Sequence, residues 1–496
     1  MLRIARAAAA AAVGWPLAPR SAKAAEPVVN AGEATTPTDA APRAINPGVQ
    51  LFVDDDLIGH MSGLVRRMER PERLERPVLD SGTFGTTQPY LSVVRDAESQ
   101  RFRVWYNHGP AIWHAESNDG IAWANPRLVW DLPRGYGCSV IDDGPAAADP
   151  ARRYKLANWQ ATREREDKPG DDAGMWLGFS PDGTTWTHWS GNPALHTWPE
   201  GPNKFVRHGV GDTVDVYYDS LARKYRAAVK VHALAEDGYA PAPKAGRAFR
   251  RLIGMSASDD FLKWERPWRI FAPDAHDEGL LEFYGMGGMH VRGGLQLGLV
   301  RVLRDDLPCD PGGPVDGIGY TALATSRDGV HWHRFREPLV DRNLQPGSWD
   351  HAMAWGSAVV PVGDELYLYY GGYARGHKIA AETERQVGLA RLKRDRYAAL
   401  SPTADEGTLR TPPLVINARG LTLNARATGG QITVRVLDAK GAVLTKLGRA
   451  GSAPITVDSL AANVDWEKPL SVLGSEQVCL EFRLHRAALF ACEFHA

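Results

Sequence analysis

Three carboxylates in the middle of the chain are candidates for chemistry: Asp212 in GDTVDVYYD, Glu282 in LEFYGMGGMHV and Asp350 in GSWDHAMAWG. Carboxylates that converge on one pocket repel one another, which raises at least one pKa and separates the group into acid and base. Glycosidic bond cleavage needs that division: one carboxyl protonates the departing oxygen, and the other attacks the anomeric carbon or activates water. Glu282 is the expected general acid, because Phe283 and Tyr284 beside it favour the protonated form by excluding water. A solvated loop glutamate would give the same local sequence. Asp350 is the expected nucleophile or base, with Trp349 as a stacking face for sugar and His351 as a second polar group, although a turn-capping Asp has equal claim. Asp212 takes a third, pKa-setting role, and Asp215 alternates with it on one strand as a substrate-binding candidate. Gln88, His290 and Arg292 are expected to bind hydroxyl groups.

A repeat would bring these residues together. The word Ser-x-Asp-x-x-x-Trp occurs as SNDGIAW (117–123), SPDGTTW (180–186), SDDFLKW (258–264) and SRDGVHW (326–332), each after a short apolar run such as MWLGF or YTALAT. A Ser/Asp/Gly turn between two strands, with the Asp capping its own amides, makes a hairpin. A degenerate fifth copy, VGLARLKRDRYAAL, keeps Asp395 and lacks the Trp. Asp119, Asp182, Asp260, Asp328 and Asp395 stand 63, 78, 68 and 67 residues apart. That period suits a four-stranded antiparallel blade and is too long for a heptad or a helical solenoid. Helical periodicity is nearly absent from 48 to 400, where strands such as FRVWYN, KYRAAVKV and ELYLYYGG follow one another. The expected fold is therefore all-β, a five-bladed β-propeller over residues 48–405. Each blade's first strand lines the central channel, so TTQPYLSVV, YGCSVID, GDTVDVYYD, LEFYGMGGMHV and GSWDHAMAWG should share one pocket. Most of the 16 Trp are expected in blade cores.

The word SDDFLKW, the strand-then-turn repeat and the count of five resemble the five-bladed propellers of glycoside hydrolase families 32, 43, 68 and 130. The opening LFVDDDLI and a sandwich after the propeller resemble exported bacterial proteins of the family-32-like kind. The resemblance implies an exported glycoside hydrolase with a polysaccharide or oligosaccharide substrate; the alternative is a propeller that binds carbohydrate without cleaving it. The W-M-N-D-P-N-G, R-D-P and Glu-Cys sequences of family 32 are absent. Related families place an essential Asp on the first blade, but Asp54, Asp55 and Asp56 precede it and are expected to supply the outer strand that closes the ring.

Residues 406–496 read as a small β-sandwich, with Ile432, Val434 and Val436 alternating along one strand, and are expected to cover one flank of the propeller. At the other end, Arg3 and Arg6 precede an Ala-rich run and Ala22-Lys23-Ala24, which reads as a signal peptide over 1–24, or else as a disordered Ala-rich tail. Residues 25–47 read as a Pro/Ala/Thr-rich linker. Export to the periplasm or the exterior follows from that reading, and no later run has the roughly 18–20 apolar residues of a membrane span. With 58 Lys+Arg against 59 Asp+Glu and no block of one sign, nucleic acid is excluded as a partner. Cys138, Cys309, Cys479 and Cys492 have no zinc-binding spacing, so neither a metal nor a cofactor is expected. Cys479 and Cys492 could pair if their strands are neighbours, with two buried thiols as the equal alternative.

Overall fold

The computed structural model describes residues 42–132, 134–161, 172–197, 210–234, 249–382 and 384–496. The expected signal peptide and most of the expected linker lie outside them. Apart from one four-residue helix, Ser81–Phe84, and short 3-10 turns, the regular structure described is β. Among the described residues, no helix is long and apolar enough to cross a membrane.

Five antiparallel sheets follow one another. The first holds Thr87–Arg95, Phe102–His108, Ala111–Ser117 and Trp123–Trp130. The second holds Gly135–Asp142, Tyr154–Gln160 and Gly174–Ser180, with Thr187–His188 and Leu195–His196 at its outer edge. Val214–Asp219, Lys224–Leu234, Phe249–Ser258 and Trp268–Arg269 form the third; Leu281–Arg292, Leu295–Arg304, Ile318–Ser326 and His333–Val340 form the fourth. The fifth has Met353–Val362, Glu365–Tyr373 and Arg385–Lys393, and takes its outer strand from far upstream: Glu72–Arg73 pairs with Arg391 and Ala390. The five first strands pack each against the next, the fifth against the first, which closes a five-bladed propeller.

All four complete Ser-x-Asp-x-x-x-Trp words occupy the turn between the third and fourth strands of their blades. In the first, Ser117 Oγ donates to Asp119 Oδ1 (2.9 Å), which accepts the amides of Ile121 and Ala122 (2.8 Å each). The other three repeat this arrangement around Asp182, Asp260 and Asp328. The residue after the Asp has φ between +66° and +76°, so glycine is the natural occupant. In the third blade Phe261 stands there instead, wholly buried against Phe179, Tyr225 and Trp264.

The second body is a sandwich of two six-stranded sheets, and both ends of the chain build it. One sheet runs Arg43–Ile45, Leu414–Ile416, Val478–His485, Glu406–Arg410, His60–Ser62, with Gln431–Asp438 also on Val478–His485. The other runs Asp458–Asn463, Gly420–Arg426, Ala488–His495, Ala398–Pro402, Leu64–Met68, with Gly48–Leu51 also on Ala488–His495. This corrects two expectations. The end of the expected linker, Arg43–Ile45, is a sandwich strand, and the segments up to Met68 belong to the sandwich rather than to the propeller. LFVDDDLI does not close the ring: Leu51 pairs with Ala491 on a sandwich sheet and packs with the cores of the fourth and fifth blades, while Phe52 is buried in the sandwich core against Phe482 at 5.7 Å. Cys479 and Cys492 fall on opposite sheets, and all four cysteines are free. The acidic triplet instead joins the two bodies. Asp54 accepts both arms of Arg327 from the fourth blade (2.7 and 2.9 Å), Asp56 lies 3.3 Å from the same guanidinium, and Asp55 pairs with Arg66.

Candidate functional site at the channel mouth

All five first strands start at one end of the ring, where the loops after the second strands of the fourth and fifth blades meet: His377 N donates to the Gly317 carbonyl and Lys378 Nζ to that of Asp305. Asp212 leads the first strand of the third blade, and the Lys230 ammonium, reaching up from the second strand, forms an ion pair with it. Burial alone would push the Asp212 carboxyl up, but the charge and hydrogen bond of Lys230, helped by Arg251 and His232, hold it down at about 2. Even so, 41% of its side chain is open to solvent. Lys230 Nζ also sits 3.7 Å from the centre of the Tyr284 ring, and the Arg251 guanidinium 5.0 Å from it.

On its other side Tyr284 is tilted against Trp355 (4.6 Å) and meets the His377 ring edge-on (5.2 Å). Trp355 leads the inner strand of the fifth blade, and His377 opens the segment between that blade's second and third strands. Asp305, just past the end of the fourth blade's second strand, faces His377 Nδ1 and Lys378 Nζ, each at 3.8 Å. Burial lowers the His377 pKa; Asp305 raises it and the charges of Arg251 and Lys230 lower it further. Asp212, Lys230, Tyr284, His377 and Asp305 thus make one continuous polar and aromatic floor.

Below that floor the channel is crossed by a bidentate pair, Arg301 to Asp215 at 2.7 and 3.0 Å, both side chains buried. Gly287 makes room: a Cβ there would press on the Arg301 guanidinium and come within 3.0 Å of Asp215 Oδ1. Arg301 also lies over Tyr90 at 5.1 Å. Beneath the pair is a cavity of about 100 Å³ with Ser92, Ser139 and Ser357 on its wall, polar enough for a few waters.

The residues singled out from sequence scatter. Asp212 is at the mouth; half-buried Gln88 is at the start of the first blade's inner strand; Asp215 is lower in the channel, held by Arg301. Glu282 starts the fourth blade's inner strand but turns away from solvent, 1% exposed. Arg251 answers both of its oxygens, one through the guanidinium and one through the backbone amide at 3.1 Å. Asp350 is not on the channel. It lies 2% exposed against the fifth blade's own sheet, where Tyr370 donates to it at 2.9 Å and Arg73 approaches to 3.3 Å. Trp349 stacks on Tyr370 there, and His351 is fixed between the Asn343 carbonyl and Asp310, so neither presents a face to the mouth. His290 and Arg292 sit at the far end of the inner strand, where His290 meets the Tyr397 hydroxyl (2.9 Å) and Arg292 takes both oxygens of Asp395 (2.8 and 2.6 Å). Of the three expected catalytic carboxylates, Asp212 and Glu282 both face Arg251, while Asp350 stands apart with Tyr370 and Arg73, so the expected convergence of all three in one pocket is not what the geometry gives. Sequence reasoning missed Lys230, Arg251, Asp305 and His377, and it named Tyr284 only as a neighbour of Glu282. The legible signal was a cation inside an apolar strand, as in AAVKV. Among the described residues, no group of three or more His, Cys, Asp or Glu is placed to hold a metal ion.

No protein-family model matches the chain, and no curated protein matches it. Solved structures of similar chain path include one described as a glycoside hydrolase, at TM-score 0.44 and 14% identity over 66% of this chain and 92% of that one. A thermostable family-43 glycoside hydrolase gives 0.43 and 13%, covering 62% of this chain and 89% of its own. A fructofuranosidase from Schwanniomyces occidentalis, complexed with fructosylnystose, gives 0.41 and 9%, covering 87% and 100%. Identities this low carry no residue of those proteins across to this chain.

Proposed function

We propose that the channel mouth binds a carbohydrate and that Asp212 takes part in hydrolysing its glycosidic bond, as nucleophile or as the base that activates water. The supporting observation is that Asp212, alone among the three expected catalytic carboxylates, is open to solvent while a neighbouring cation holds it ionised. An accessible ionised carboxylate on an aromatic floor can accept a proton from water or attack an anomeric carbon. The substrate would be a polysaccharide or its fragments, met outside the cytoplasm after removal of residues 1–24. A glycan panel assayed for released reducing ends tests this: Asp212→Asn should lower turnover by about 10²- to 10⁴-fold while calorimetry still detects binding. Unchanged turnover in that variant would sink the assignment.

A second reading, carbohydrate binding without cleavage, draws support from the closure of Glu282 by Arg251 and of Asp350 by Arg73 and Tyr370. It predicts a wild-type protein that binds glycans of the panel and cleaves none.

A further inference from the structure

The mouth contains an imidazole that the reading above does not use. His377 Nδ1 faces Asp305, whose Oδ1 is buried and makes no hydrogen bond, leaving His377 as the polar ring nearest to it. No hydrogen bond from a described residue reaches His377 Nε2. The ring is clamped by Tyr284 and Trp355, with 18% of the side chain exposed. Lys230, which carries Asp212, and His377 both contact the Tyr284 ring, at 3.7 and 5.2 Å from its centre, so the imidazole and the ionised carboxylate belong to one cluster.

We propose that His377 is the catalytic acid of this site, with Asp305 as the neighbouring carboxylate whose charge favours the protonated ring. The proposal rests on the hydrolase reading of Asp212. In the step, His377 Nε2–H gives its proton to the glycosidic oxygen as the bond from that oxygen to the anomeric carbon breaks, the bonding pair staying on oxygen. Water adds to the anomeric carbon and its proton passes to the Asp212 carboxylate. Two hydroxyl-ended sugars result, and the proton returns from Asp212 to His377 through solvent. The charged and titratable groups facing His377 are Asp305, Lys378, Lys230, Arg251 and Tyr284. Burial and the two channel cations favour the neutral ring, so the acid form gains as pH falls below the ordinary histidine value, and the alkaline limb of the rate profile should lie on the acid side of neutrality.

The test uses His377→Gln and Asp305→Asn in the full-length protein, with thermal melting as the folding control. Substrates are a natural glycan and a dinitrophenyl glycoside whose leaving group needs no proton. His377→Gln should lose about 10²- to 10⁴-fold on the glycan and only a few-fold on the activated glycoside. Asp305→Asn, which removes the carboxylate that raises the imidazole pKa, should move the alkaline limb to lower pH. Equal losses on both substrates, or an unmoved limb, would overturn the assignment while leaving the Asp212 reading intact. A wild-type protein that cleaves neither substrate would overturn both.

Discussion

Lys230 and Arg251 come from different strands of one blade, and each answers one carboxylate at the mouth, but the two pairs differ in exposure and so in what their loss should do. Asp212 has its pKa raised by burial and lowered more by Lys230, so the carboxylate is ionised above about pH 2. Replacing Lys230 by Met removes the main lowering influence, and the acid limb of kcat/KM should move to higher pH, as a profile from about pH 2 to 7 would show. Any stability that depends on the ionised form is complete above the unfolded value and lost as pH falls through about 2, so Lys230→Met should destabilise the fold at neutral pH, with the difference from wild type shrinking as the pH is lowered. Glu282 is the opposite case. Glu282→Gln leaves the Arg251 cation buried without its counter-charge, and breaking a buried pair from one side costs about 3–5 kcal/mol, readable as a lower denaturant midpoint. A Glu282→Gln protein that is fully stable yet inactive would restore Glu282 as the acid. From sequence, Asp212 was legible because it leads an inner strand. The partners that define its chemistry were not, because strand pairing brings Lys230 and Arg251 level with it. His290 and Arg292 failed for a related reason: at about 3.3 Å per residue, a twelve-residue strand carries its last side chain roughly 36 Å from its first.

The turn words were the most readable elements, because the capping chemistry of Ser and Asp is local and does not depend on what surrounds the blade. Phe261 tests how far that local rule governs. Its left-handed backbone costs about 1–2 kcal/mol, which argues for glycine. Its ring is wholly buried among three aromatic neighbours, and removing a buried Phe costs about 3–5 kcal/mol. Packing outweighs strain, so Phe261→Gly should lower stability by about 1–3 kcal/mol by chemical denaturation; a stabilised variant would show that the strain dominates. The fifth word was half legible. Asp395 stands at the equivalent turn with φ +64°, but its carboxylate holds Arg292 and the chain then leaves for the sandwich at Ala398. No fourth strand follows because Glu72–Arg73 already fills that edge, a long-range pairing that a two-residue segment does not announce.

At the scale of the whole molecule, the tail from 406 is not a separable lid. Removing it would take out strands from both sandwich sheets and leave Arg43–Met68 with Leu51, Phe52 and Leu64 stripped of cover. A chain ending at 405 should therefore aggregate on expression, and a soluble, active truncation would show that those N-terminal strands find other partners. The all-β class and five-fold repeat were visible because each blade repeats its own local pattern. The sandwich boundaries were not, because that core is assembled from segments more than 300 residues apart. One pairing there bears on how the gene could be rearranged. Gly48 lies opposite Phe494 across neighbouring antiparallel strands, and Asn417 and Arg419 donate to the carbonyls of Ile45 and His495, so the first and last described strands lie close together. A short linker from beyond His495 to the residue before Arg43 would turn the polypeptide into a loop that can be reopened elsewhere. Gly363, at a hairpin tip where an added Cβ meets nothing and away from the mouth, is a suitable opening. Such a circular permutant should melt as one folded body and keep its glycan chemistry, which makes this sandwich a clasp through which other domains can be inserted without breaking the ring.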